Sequence, residues 1–323
     1  MKLKIDKFVI AILGTVLLAY IFPQFGSKNS PIPLSLIGSI GVALIFFFYG
    51  LKLHPDKIKS GLKNWKLHLL VQFSTFLVFP IIVLLTKPFV VSEEQELIWL
   101  AFLFLAALPS TVSSSVVMVS IANGNIPAAI FNASISGLIG ILITPLWMGL
   151  FLQQNAVAFD LGSVYIKLVT EILLPVLFGM LLQRFLGKYA TQYNKQLTLF
   201  DKSIILIIIY KSFSESFEEK VFSTVNLMDL FFIFICDVLL FFIVYQIIGL
   251  VSKKLQFAKE DQITAQFCGT KKSLVHGTVF SKILFPSAIA TGVILLPLML
   301  FHAMQIFVIS FIASKLGNQT IAK

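Results

Sequence analysis

Apolar stretches long enough to cross a bilayer recur from one end of this chain to the other, and few folds accommodate that pattern. A helix needs about 20 residues to traverse a hydrocarbon core about 30 Å thick. Lipid offers the backbone no hydrogen-bond partners, so only helices and closed barrels can span it. These runs lack the short dyad alternation of barrel strands. With 58% hydrophobic and only 12% charged residues in 323, the chain carries more apolar side chain than a soluble domain of that length would bury. It reads as an all-α membrane protein.

Ten spans are expected, over 8–22, 34–51, 67–85, 98–123, 127–152, 164–185, 204–217, 230–251, 263–284 and 286–313. The connections are short, so 1–323 reads as a single polytopic membrane domain in contact with the lipid bilayer. The basic, then apolar, N-terminus has the look of a secretory signal, but Tyr20-Ile21-Phe22-Pro23-Gln24 offers no small-x-small cleavage site. It is read as an uncleaved first span.

Charge sets the orientation. With the N-terminus inside, 17 Lys and Arg residues fall on cytoplasmic segments and adjoining span ends, against Lys28, Lys87, Lys220 and Lys282 opposite. That asymmetry is the positive-inside pattern, and it predicts both termini cytoplasmic, in a bacterial inner membrane. The net charge of +10 therefore calls for no nucleic-acid partner. Cys236 and Cys268 lie within spans without metal-ligand spacing and are read as buried thiols; no metal or cofactor is expected.

Two stretches repeat one design. "TVSSSVVMVSIANGNIPAAI", from Thr111, and "TKKSLVHGTVFSKILFPSAI", from Thr270, each place a polar cluster early in a span and reach Pro-x-Ala-Ile 16 residues later. They occupy spans 4 and 9, corresponding members of two five-helix halves, about 1–155 and 156–323. Five is odd, so the halves must be inverted relative to each other, a common transporter architecture. Pro109 in one stretch and Gly269 in the other weaken the helix locally, which predicts broken, crossing helices 4 and 9. Half-helix ends aimed at a cavity present partial charges that bind ions and charged substrates. The plainer reading of Ser113, Ser114 and Ser115 is packing between helices.

"LPSTVSSSVVMVSIANGN" running into "NASISGLIGILITPL", and "GTKKSLVHG" followed by "LPLMLFHAMQ", resemble the bile acid:sodium symporter superfamily, in particular its divergent branch around sodium/bile acid cotransporter 7. The resemblance covers nearly the whole chain. It implies a panel domain of spans 1, 2, 6 and 7 and a core domain of spans 3–5 and 8–10, with helices 4 and 9 crossing in the core. Set against the sodium-coupled members, the chain departs at their ion site. The Ser-Asn pair of helix 4 is replaced by Ser113–Ser115, the helix 5 ligands fall on Ala129 and Ala133, and the helix 9 glutamate and glutamine positions are Phe267 and Lys271. Gln72 alone is retained. Sodium coupling through the usual sites is not expected, and bile acid as substrate does not transfer with the fold.

A lysine at the bilayer centre costs about 2.5–3.5 kcal/mol, so Lys271 and Lys272 call for water, a counter-charge or an anion. Asp237 in span 8 is the candidate counter-charge, and with Gln72 a candidate ion-site residue. Lys167 with Glu171, and Lys211 with Glu215, are spaced to neutralise each other on one helix face. His276 either extends the polar stripe from Lys272, carries protons or simply packs. The function expected is a secondary transporter with alternating access for a small organic or phosphorylated anion. Its candidate substrate-binding residues are Ser113, Ser114, Ser115, Asn132, Ser136, Thr270, Lys271, Lys272, Ser273 and His276. The alternative is a regulatory or scaffold protein that keeps the fold without transport. No motif points to an enzyme. A homodimer is left open.

Overall fold

The computed structural model describes residues 7–27, 30–53, 64–111, 113–152, 161–218, 220, 227–285 and 291–321. Every regular element among them is helical. Six helical stretches are long and apolar enough to cross a membrane: Leu34–Lys52, Trp65–Phe89, Ile126–Leu152, Gly162–Gln192, Leu227–Lys254 and Thr291–Asn318. The protein is a multi-pass integral membrane protein. The other four expected spans meet helices that are short, interrupted or charged. Helix α1 (Lys7–Ile21) has 15 residues. The fourth and ninth spans are each broken in two. The seventh falls on a helix carrying Asp201, Lys202, Lys211 and Glu215.

The chain folds into two compact units, each assembled from separate stretches of sequence. The first draws on 1–54, 160–229 and 277–295. It holds α1, α2 (Leu34–Lys52), and α8 (Leu161–Leu168), which continues through a π-turn at Val169–Leu173 into α9 (Leu174–Gln192). It also holds α10 (Asn194–Glu218). Helices α2 and α9 touch backbone to backbone. A Cβ on Gly50 would stand 2.2 Å from the Val176 carbonyl oxygen, and one on Gly179 equally close to that of Phe47. Small residues are what allow membrane helices to approach so closely. The Tyr210 hydroxyl donates to the Phe22 carbonyl at 2.6 Å, joining α10 to the end of α1.

One sequence expectation fails here. Lys211 and Glu215 pair at 2.6 Å, but Lys167 and Glu171 form no ion pair. The π-turn at Val169–Leu173 has more residues per turn than an α-helix, so Glu171 no longer lies over Lys167 and its Oε2 has no hydrogen-bond partner.

The second unit draws on 55–159, 230–276 and 296–323. Helix α3 (Trp65–Phe73) runs through a π-turn at Ser74–Val78 into α4 (Phe79–Leu84). After α5 (Glu93–Ala107) the chain leaves helical conformation, and it resumes as α6 (Ser113–Ile121) and α7 (Ile126–Leu152). Helices α11 (Leu227–Lys254) and α12 (Lys259–Gly269) follow, and the helix stops again before α13 (Leu274–Leu284), which from residue 277 on belongs to the first unit. The last helix, α14, covers Thr291–Ile321. Trp99 donates its indole N–H to the Val83 carbonyl at 3.1 Å and Trp147 to that of Phe76 at 2.8 Å, so the buried indole of Trp99 and the half-buried one of Trp147 are both satisfied while tying helices together. Phe301 on α14 meets the rings of Phe79 and Phe241 at 6.2 and 6.1 Å.

Candidate functional site

Both interruptions expected in spans 4 and 9 are present, and each has a local cause. Pro109 has no N–H and confines Leu108 to extended backbone, with φ −72° and ψ 150°, so α5 ends there. At the other break Gly269 closes α12, and the Thr270 hydroxyl turns back onto the Gln266 carbonyl at 2.6 Å. The two unwound segments are bonded to each other. Ser273 N–H donates to the Pro109 carbonyl at 2.9 Å, and the Ser110 hydroxyl donates to that of Cys268 at 2.6 Å. Ser110 N–H donates to Ser136 Oγ at 3.0 Å. Helix α7 approaches the break at Gly140, where a Cβ would stand 2.8 Å from the Pro109 ring.

Lys272 sits at this crossing, fully buried. Its Nζ donates to the carbonyls of Ala106 at 2.6 Å, Thr75 at 2.7 Å and Leu108 at 2.9 Å, and lies 4.2 Å from the centre of the Phe79 ring. Three acceptors require three N–H donors, so the group is an ammonium. Two prolines help to make the nest. In the π-turn, Phe79 N–H is taken by Ser74, and Pro80 has no N–H to give to Thr75. At the α5 terminus, Pro109 has none to give to Ala106 and Ser110 N–H is turned to Ser136. Both carbonyls are left without helical donors, and Lys272 supplies them. Gln305 of α14 fixes the Lys272 backbone from both sides: its Oε1 accepts from Lys272 N–H at 2.9 Å, and its Nε2 donates to the Lys272 carbonyl at 2.8 Å.

Lys271 is buried just as completely but has a different setting. Its Nζ donates to Ser114 Oγ at 3.4 Å, a long contact. Ser114 in turn lies 2.8 Å from Thr111 Oγ1, which is 2.9 Å from Ser115 Oγ, so a chain of hydroxyls leads away from the amine. Neither lysine forms an ion pair with Asp237 among the described residues. That carboxylate is buried on α11, and both of its oxygens are without a hydrogen-bond partner. The paired Lys–Asp arrangement considered from sequence is therefore absent.

The other sequence candidates divide into smaller groups. Gln72 Nε2 donates to Asn132 Oδ1 at 3.2 Å and to its carbonyl at 3.3 Å, while Asn132 Nδ2 donates to the Ala128 carbonyl at 3.0 Å. Gln72 and Asn132 are thus brought together, with Gln72 Oε1 unpartnered. Ser273 Oγ and His276 Nδ1 lie 2.9 Å apart, so His276 reaches back to the break instead of extending a stripe from Lys272. Ser136 and Thr270 serve the backbone. The Ser113 side chain and the Pro-x-Ala-Ile motif at 286–289 lie outside the described residues. Phe267, Ala129 and Ala133, at the positions of sodium ligands in the resembling family, are fully buried and offer no side-chain oxygen.

Sequence reasoning missed the acceptors of Lys272, because backbone carbonyls have no letter in a sequence. The signal for two of them was present, in Pro80 five residues after Thr75 and Pro109 three after Ala106. Also missed was a clasp at the turn between α6 and α7. Asn123 adopts a left-handed φ of 57°, and Asn125 then donates from its side chain to Asp261 at 2.7 Å and from its N–H to Thr264 Oγ1 at 2.8 Å.

Two interrupted helices stitched at their breaks, with two buried lysines where the breaks meet, define a membrane transporter core. The chain belongs to the SBF-like CPA transporter family, whose model matches residues 6–318. Among its relatives is an uncharacterised protein of Pseudomonas aeruginosa, 34% identical over 97% of this chain and 93% of that one. A protein of Escherichia coli K12 named "Putative symporter YfeH" is 34% identical over 98% and 94%. Sodium/bile acid cotransporter 7 of Danio rerio is 30% identical over 94% and 91%.

Proposed function

We propose that this protein is a secondary transporter that moves a small organic or phosphorylated anion by alternating access, without sodium at the positions its relatives would use. The observation that carries this reading is the Lys272 ammonium on three carbonyl oxygens at the crossing. A cation bound to a ring of carbonyls is how a sodium ion would hold two half-helices together. Here the cation is covalently part of the chain and cannot be exchanged. Lys271, held only by one long contact to Ser114, is then the group free to meet the anion, with Ser114, Ser115 and Thr111 supplying donors beside it. Asp237 is the candidate for proton movement, since it is buried with no partner for its charge. The absence of a Lys–Asp pair removes the observation that would have favoured a scaffold without transport.

Ten spans in two inverted five-helix repeats are part of the same proposal. Its support is the matching pair of broken helices and the interleaving of sequence between two compact units, which parallels the panel and core assignment except at 277–295, a stretch of spans 9 and 10 that groups with spans 1, 2, 6 and 7. Cytoplasmic termini and an inner-membrane location belong to it as well, the first supported by the lysine asymmetry.

A thermal-shift screen of carboxylates, sulfonates and sugar phosphates, run in equal concentrations of sodium and potassium chloride, tests the reading. One anion class should raise Tm equally in both salts, and Lys271→Ala should abolish the rise. A rise that requires sodium and survives Lys271→Ala would overturn it.

A further inference from the structure

The first compact unit contains a cavity of about 500 Å³, within the range of about 300–1,000 Å³ usual for small-molecule sites. Among the described residues, the charged ones on its wall are Lys211, Glu215 and Lys282. Lys211 and Glu215 pair at 2.6 Å one turn apart on α10 and largely cancel. Lys282, on α13, is different. Its Nζ donates to the Ser35 carbonyl at 3.2 Å and to Ser39 Oγ at 2.5 Å, both on α2 and both neutral. Gly38 makes room for it, since a Cβ there would stand 3.5 Å from Nζ. An ammonium has three donors, and the third meets no acceptor among the described residues.

Glu171 lies within electrostatic reach of Lys282, but so do Lys167 and Lys211, and Glu171 forms no ion pair with any of them. With Glu215 the described residues of this neighbourhood hold three cations and two anions, leaving one positive charge unmatched among them. The rest of the wall is two-sided. Ser30 and Ser212 offer hydroxyls, while Ile32, Ile208 and Phe285 offer apolar surface.

We propose that this cavity is a second anion site, in which Lys282, anchored on Ser35 and Ser39, receives the carboxylate or sulfonate of a soluble organic monoanion whose apolar body lies against Ile32, Ile208 and Phe285. A dianion would meet Glu215 as well as Lys282, and a cation would meet the unmatched ammonium. A neutral ligand leaves that ammonium without a counter-charge. The site lies entirely within the first unit and is independent of the crossing at Lys271 and Lys272.

The test is titration of the full-length protein in phosphatidylcholine nanodiscs with hexanoate, hexanesulfonate, hexanamide and hexylammonium. The two anions should bind saturably, and the amide and the ammonium at least about tenfold more weakly. Lys282→Ala should weaken hexanoate binding by at least about tenfold. Ile32→Glu should do the same by repulsion, and it changes a residue that is 42% exposed, so the fold is spared. Leu181→Ala, on α9 at a residue that is 70% exposed and does not line the cavity, should leave hexanoate binding unchanged. Binding that survives both Lys282→Ala and Ile32→Glu, or that hexanamide matches, overturns the assignment. Loss of hexanoate binding when phosphatidylglycerol replaces part of the lipid assigns the cavity to a lipid headgroup and overturns the soluble ligand.

Discussion

Lys271 and Lys272 are neighbours in sequence and are both fully buried, yet the Lys272 Nζ rests on three carbonyl oxygens at 2.6–2.9 Å while that of Lys271 touches, among the described residues, a single hydroxyl at 3.4 Å. The unwound backbone at 270–273 makes this division possible, because side chains in an intact helix would be fixed about 100° apart on a shared cylinder. One lysine is built into the architecture, and the other is available for chemistry.

Lys272→Met should destabilise the protein by about 2–5 kcal/mol, because it strips the donors from the buried carbonyls of Thr75, Ala106 and Leu108. Lys272→Arg should fail to restore stability, since a planar fork cannot place three donors as a compact ammonium does. Thermal unfolding monitored by size-exclusion chromatography reads both. An unchanged Tm for Lys272→Met would show that the nest is not needed to hold the breaks together.

Lys271→Met should leave stability within about 1 kcal/mol of the parent or raise it, since an ammonium with one long contact gains little from its burial. The same variant should lose the anion-dependent rise in Tm. The opposite pattern, unfolding with anion response retained, would exchange the roles given to the two lysines.

Gly179→Leu should separate α2 from α9, because even a Cβ at this position would stand 2.2 Å from the Phe47 carbonyl oxygen. A loss of about 2 kcal/mol or more is expected from overpacking of this kind. Leu181→Ala, on the same helix but 70% exposed, serves as the control and should be close to neutral when both are compared by thermal unfolding in the same detergent.

Asp201, near the start of α10 and before the apolar part of that helix, is pushed up to about 6 by burial, an effect that Lys52 partly offsets. Its ordinary value in the unfolded chain is 3.8, so the contribution of the protonated acid is complete below that pH and is lost as pH rises through about 6. Asp201→Asn should therefore gain Tm relative to the parent at pH 7.5 and show little gain at pH 4. Equal differences at the two pH values would show that the carboxyl does not titrate between folded and unfolded chains.

Orientation is tested by single cysteines in a background of Cys236→Ser and Cys268→Ser. Val91→Cys, between α4 and α5 where residue 91 is 87% exposed, should react with a membrane-impermeant maleimide added to intact cells. Lys254→Cys should react only after permeabilisation. Labelling of position 254 alone would invert the proposed topology.

The sequence by itself determined that the chain lives in a membrane as helices, because backbone satisfaction in lipid leaves no other arrangement for runs so long and apolar. It also located the two breaks, since Pro109 and Gly269 act on the backbone locally wherever the rest of the chain lies. Tertiary structure decided which of two adjacent lysines is structural. That choice depends on the carbonyls of Thr75, Ala106 and Leu108, which come from 164 to 197 residues away and meet Lys272 only when the two breaks are bonded together. It likewise decided that Asp237 pairs with neither lysine and that Glu171 forms no ion pair with Lys167, because ion pairing in a low-dielectric core follows placement to within an ångström or two. Letter spacing fixes that placement only along an unbroken helix.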